Sequence, residues 1–313
     1  MAISAFRSVQ LKDSPVILRY YRDESLPKSC TEMQKFKSIS SGLLYSAIAF
    51  SLVMGTKSSY SQAIDLSNQT WSAEVIRDHG QPVIPLYDGW FPNDDGSNTL
   101  CFGYFNMNRS QSLDIPRGSD NYLSDQRFPA DLPTHFDPLP PQYRHVFCAF
   151  SITVPDSFDR DEKIYWHLTS NGQQLKVPGH LLPAYVLDEP RSDGRGDVAP
   201  LVYLGQESVR GRKGIHYPRM LHATAGESVP LRAAIEHAAE EVWVGWAHHS
   251  GPGEVSFNKK EYMAPSGEAT EVLAIFSEPG EYIVRMQTID DIAAFEFYCC
   301  HTNAYFHITV DEQ

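Results

Sequence analysis

Basic side chains are scarce in this chain. Its 26 Lys and Arg stand against 39 Asp and Glu, a formal net charge of −13. Nucleic acid rewards the opposite balance, so the sequence argues against a nucleic-acid partner and against docking on an anionic membrane surface. Enzyme signatures are missing as well. There is no G-x-S-x-G elbow, no H-E-x-x-H zinc helix, no P-loop and no C-x-x-C-H haem motif. The stretch His237-Ala-Ala-Glu240-Glu241 approximates a zinc helix only loosely, and it falls where a strand ends. Acidic pairs such as Asp290 and Asp291 serve a glycosidase only when they face each other across a cleft, and nothing in the sequence places them so. A secreted hydrolase with a site between domains is therefore the weakest reading. Helical periodicity is almost absent. The apolar run Ile39 to Met54 has 16 residues, short of the ~20 that a membrane span needs.

That run reads instead as the core of a secretory signal spanning residues 33–63. Lys35 and Lys37 precede it, and Ser61-Gln62-Ala63 offers a small-x-small cleavage site. An uncleaved anchor is the rival reading and the one route to a membrane. Residues 1–32 are polar, mixed in charge and read as a non-structural leader. Export would place the remainder in the periplasm, in the medium or on the cell surface, where disulfides persist. Cysteine is sparse, with 5 in the chain. Cys101, Cys148, Cys299 and Cys300 lie beyond the signal and are the disulfide candidates. A bond between Cys101 and Cys148 is the natural pairing, because both sit mid-strand in strands that share a core, with two buried free thiols as the alternative.

Beyond the signal, apolar and polar residues alternate with the period of two that marks β-strands. Gln81 to Trp90 and Thr99 to Asn106 read as strands around the turn PNDDGSN. The Asp94-Asp95 pair in that turn matches no calcium-loop spacing. Ser110 to Asp137 reads as loop with one short strand at Ser112 to Ile115. Arg144 to Pro155 and Lys163 to Ser170 read as strands, the latter entering a hairpin at Asn171-Gly172. His135, His145 and His167 read as surface or satisfied side chains. Residues 188–200 (DEPRSDGRGDVAP) have no apolar period and read as a linker between an N-terminal domain, 64–187, and a second domain, 201–313. The Arg-Gly-Asp within the linker is too short a match to carry meaning. The basic stretch Gln206 to Arg219 reads as an exposed loop. About seven strands are expected in the second domain, as in an immunoglobulin-like sandwich. The fold expectation is all-β, with two β-sandwich domains.

Trp246 with SGPGEVSF at Ser250 to Phe257, then A-x-FSEPGEYIVRM ending at Met286, resembles the PKD / immunoglobulin-like repeats of bacterial secreted and surface proteins. The opening AGESVPL at Ala225 to Leu231 fits the same pattern. The resemblance covers roughly Pro200 to Gln313 and implies a sandwich with a binding, spacer or assembly role. It fixes no activity. The first domain, with DGW, FGYFN and PTHF, resembles a group of uncharacterised bacterial secreted proteins, which implies no activity either. The chain departs from the repeat pattern at His248-His249 and at Cys299-Cys300.

Those departures carry the candidate site. Cys299-Cys300-His301 reads as a vicinal disulfide, as free thiols or as one cysteine paired elsewhere. Histidines are dense in the second domain: His216, His222, His237, His248, His249, His301 and His307. Thiolate and imidazole together suit copper or zinc, so Cys299, Cys300 and His301 with His248 or His249 form the candidate ligand set. Trp90, Trp166, Trp243 and Trp246 could stack on sugars, although strand tryptophans more often fill cores. The leading expectation is an exported, non-enzymatic binding or assembly module whose partner is a protein or glycan of the cell envelope. The alternative is a copper- or zinc-binding accessory protein.

Overall fold

Inward apolar residues alternate with outward polar ones along most strands of the computed structural model, which describes residues 77–139, 145–187, 198–289 and 300–313. All of them belong to one compact unit, Thr70–Gln313. The expected leader and signal lie outside the described residues, as do Cys299, Asp290, Asp291 and most of the expected linker.

The first part contains β1 (Val83–Pro92), β2 (Asn98–Asn106), β3 (Leu113–Asp114), β4 (Asn121–Leu123), β5 (His135–Phe136), β6 (Val146–Val154), β7 (Ile164–Ser170) and β8 (Gln173–Gly179). One sheet runs β1-β2-β6, a second β4-β7-β8, and β3 pairs with β5. The core joins the first two sheets. Phe102 and Phe150 stack with centroids 5.1 Å apart. Trp166 meets Phe150 edge-on at 4.9 Å, an arrangement that suits the ring quadrupoles. The turn between β7 and β8 has Asn171 at φ 45° and Gly172 at φ 75°, the positive pair that a tight hairpin requires. Asp95 in the PNDDGSN turn accepts from the Ser97 amide and hydroxyl, which explains that motif locally.

The second part contains β9 (Leu201–Leu204), β10 (Glu207–Val209), β11 (Ile215–His216), β12 (Leu221–Thr224), β13 (Ser228–Glu236), β14 (Glu241–Ser250), β15 (Val255–Phe257), β16 (Glu261–Pro265), β17 (Ala269–Phe276), β18 (Gly280–Ile289) and β19 (His301–Asp311). They form a five-stranded sheet, β10-β9-β13-β17-β15, and a six-stranded sheet, β11-β19-β18-β14-β16 with β12 also on β19. Their inner faces enclose a core that includes Leu231, Val272, Trp246, Val284 and Phe306. This is more than the seven strands expected, because short pieces such as β10, β11 and β12 carry too few residues to show a period. Two of them fall in the stretch read as an exposed basic loop, where Arg212 is buried with its guanidinium over the Phe147 ring.

One strand serves both parts. Side chains two apart on a strand share a face, so Ala304, Phe306 and Ile308 of β19 enter the second core, while Asn303 and Tyr305 point the other way, towards β6. There β6 sets Phe147, Cys148 and Ala149 opposite the single Gly103. Asn303 donates to the Cys148 carbonyl, and Tyr305 donates to the Ala149 carbonyl. Cys148 bonds Cys101, with Cα atoms 4.8 Å apart and a sequence separation of 47. The pairing read from the sequence is the one present.

Candidate metal centre

The register of β19 sets up a cluster at the junction of the two parts. His216 lies level with Tyr305 across the parallel pair β11–β19. His307 stands two residues beyond Tyr305, so it projects on the same side. The two imidazoles meet, with His216 Nδ1 2.9 Å from His307 Nε2. The third member comes from the segment between β4 and β5. Asp131 Oδ2 lies 3.7 Å from His216 Nδ1 and 3.7 Å from His307 Nε2.

The three atoms nearly close an isosceles triangle. The point equidistant from all of them lies about 2.0 Å from each, which is the length of a zinc–imidazole or zinc–carboxylate bond. Among the described residues this is the group of three or more metal-capable side chains within one ion's reach. Its outer side is open. A cleft of about 560 Å³ borders Asp131 and His307, and another of about 390 Å³ borders Asp131 and His216.

Asp131 is held from two directions. His249 Nε2 donates to its main-chain carbonyl at 2.7 Å, and Thr134 N donates back to the His249 carbonyl. From the other side, Asn121 donates to the Pro133 carbonyl at 2.7 Å and accepts from the Trp166 indole. Arg117 reaches the Asp131 carboxylate at 3.5 Å. The Tyr305 ring stacks on His216, and burial pushes the Tyr305 hydroxyl up to about 12, so it remains a donor. Burial also holds the His216 pKa below the ordinary imidazole value. Asp131 pulls the other way, and His307 reinforces the burial.

The residues expected to bind metal are placed differently. His248 and His249 end β14, where His248 pairs with Val284 and Ser250 with Ile283, so His249 is the extra residue of a bulge. His301 pairs with Ile289 at the far end of β18. Five residues of strand separate the two levels, roughly 16 Å at ~3.3 Å per residue, so His301 and the His248-His249 pair do not share an ion. Cys300 is disulfide-bonded, which leaves it no thiolate to donate. Cys299 lies outside the described residues. The two histidines of β14 act as supports. His249 positions Asp131, while His248 stacks on His135 at 4.3 Å. His135 is bonded to Asp114 and Asp137 through its two ring nitrogens. Burial works against the His135 charge, but these carboxylates hold its pKa above the ordinary value. Asp131, His216 and His307 had no sequence spacing to unite them. The density of histidines was their one signal.

No protein-family model and no curated protein matches the chain. Among solved structures, the D00-D0 domain of intimin is 11% identical, with a TM-score of 0.25 over 73% of this chain and 100% of that one. A PapD-like domain of human CEP192 is 10% identical, with a TM-score of 0.26 over 41% of this chain and 93% of that one. A C. elegans MSP family member is 7% identical, with a TM-score of 0.24 over 30% of this chain and 94% of that one. At scores this low the overlays carry no argument, and the β-sandwich assignment rests on the chain's own sheets.

Proposed function

We propose that the chain is an exported binding module that holds one divalent first-row metal ion on Asp131, His216 and His307. The triangle of ligand atoms carries this reading, because its centre stands one metal–ligand bond from all three. Two imidazoles and a carboxylate suit zinc, iron, cobalt, nickel or copper. Three protein ligands leave further positions for water or a bound partner on the open side. Export is supported by the apolar run before Ala63 and by the Cys101–Cys148 bond, which suits an oxidising compartment.

The test is calorimetric titration of the metal-stripped chain with zinc chloride, repeated with cobalt chloride for its visible bands. One ion per chain is expected, and His307→Ala or His216→Ala is expected to weaken binding at least about a hundredfold, the scale of losing one ligand worth ~3 kcal/mol. A chain that takes up no stoichiometric ion, or variants that bind like the parent, would overturn the reading. Export is checked separately by the mass of the protein from its own envelope fraction, which should begin at Ile64.

A further inference from the structure

A second site lies on the same sheet, lined by none of the three residues of the metal cluster. Arg285 and Gln287 stand two apart on β18, so both point out of the sandwich on one face. Arg285 is 6% exposed. Among the described residues no carboxylate or carbonyl accepts a hydrogen bond from it. Its Nη1 is buried without an acceptor, and so is Nε2 of Gln287. A buried cation without a counter-charge is costly to the fold, and so is a buried amide donor without an acceptor. Both side chains line one cavity of about 220 Å³.

Most of the rest of that cavity is apolar or already engaged; His248 also lines it, with both ring nitrogens buried without a hydrogen-bond partner among the described residues. Tyr104, Leu139 and Val146 line it from the first part of the chain, and Trp243 lines it from β14. The Trp243 indole lies across Gly245, where an added Cβ would stand 2.2 Å from Cη2 of the ring. Only a residue with no side chain lets the indole lie along the strand in this way. Two carboxylates, Asp137 and Glu261, also border the cavity. Asp137 is bonded to His135 and Lys260, and no ion pair joins either carboxylate to Arg285. The volume is below the ~300–1,000 Å³ of typical ligand sites, which restricts the occupant to a small molecule.

We propose that this cavity binds a small organic carboxylate with a compact apolar body. The carboxylate supplies the acceptors that Arg285 and Gln287 lack, and the apolar body lies against the Trp243 indole. The occupant neutralises a charge that the described residues leave uncompensated. The site shares no ligand residue with the metal cluster and stands or falls independently of it.

The test is titration of the full chain with sodium benzoate, sodium hexanoate and benzamide, followed by calorimetry and by the indole N–H resonances. The titrations are run in the presence of a chelator, so that a carboxylate held by a metal ion is not counted. At least one of the two acids is expected to bind at one site and shift the Trp243 resonance. Benzamide, which has the shape of benzoate without its charge, is expected to bind at least about tenfold more weakly, as a hydrogen bond to a charged group requires. Arg285→Met is expected to abolish binding while raising the melting temperature of the ligand-free chain, because it removes an unpaired buried charge. Gly245→Ala retains the charge, displaces the indole and is expected to weaken binding. Neither acid binding at millimolar concentration, benzamide matching benzoate, or folded Arg285→Met binding like the parent would each overturn the proposal.

Discussion

A neutral imidazole has one N–H, and His249 gives it to the carbonyl of Asp131. Burial pushes the His249 pKa down to about 3, with the Arg285 charge acting in the same direction. The ring therefore stays neutral and its proton stays on Nε2. Replacing it with alanine removes the bond that fixes the Asp131 main chain and leaves the ligand side chain itself intact. His249→Ala is expected to lower zinc affinity by about 10–100-fold, the usual cost of losing an outer-shell support, as measured by competition with a chromogenic chelator. His248 makes a different contribution. Burial lowers its pKa to about 4, and the charge on the stacked His135 adds to the shift. The unfolded chain takes up this proton near pH 6.5 and the folded chain only near pH 4, so the stabilisation is complete above about pH 6.5 and is lost as pH falls towards 4. The loss is on the order of 3 kcal/mol. Urea titrations at about pH 7 and about pH 4.5 should show a smaller acid loss for His248→Phe than for the parent.

Bulges do much of the positioning at the level of single elements. The β6 bulge brings carbonyls 148 and 149 to β19, and the Cys101–Cys148 bond anchors it. Replacing both cysteines with serine is expected to cost about 2–4 kcal/mol in denaturant titrations, because the bond closes a long loop. The strands themselves were legible in the sequence. Leu231, Ala233 and Ile235 alternate inward with the period of two of a strand, and Asn171-Gly172 forms the hairpin turn expected of that dipeptide. The bulges were not legible, since an extra residue leaves a local pattern intact and only the partner strand reveals the offset. The metal cluster was hidden for a related reason. Asp131 lies in a loop, His216 on a two-residue strand and His307 on a long one. Only the pairing of β11 with β19 and the docking of the loop bring them within one ion's reach. The bulge at His249 lets two adjacent residues of one strand both face the first part of the chain, where His248 meets His135 and His249 meets Asp131.

Across the whole molecule, β19 is shared. Its inner side chains belong to the second core, and its outer ones bind the first part of the chain. Loosening that docking should therefore affect stability and metal affinity together. The double variant Asn303→Ala, Tyr305→Phe removes two buried donors and no ligand. It is expected to lose about 1–3 kcal/mol of stability and to bind zinc more weakly than the parent, measured by denaturant titration and calorimetry. Unchanged affinity in a destabilised double variant would show that the cluster holds its shape without the docking. The origin of the three ligands has a further consequence. Two come from one sandwich and the third from a loop of the other, so an ion bound there would work as a clasp. Whatever pulled the halves apart would first have to open the clasp, and whatever removed the ion would leave the halves freer to part. Metal supply in the surrounding medium would then set the rigidity of the chain, and a mechanical load on the chain would in turn release the metal.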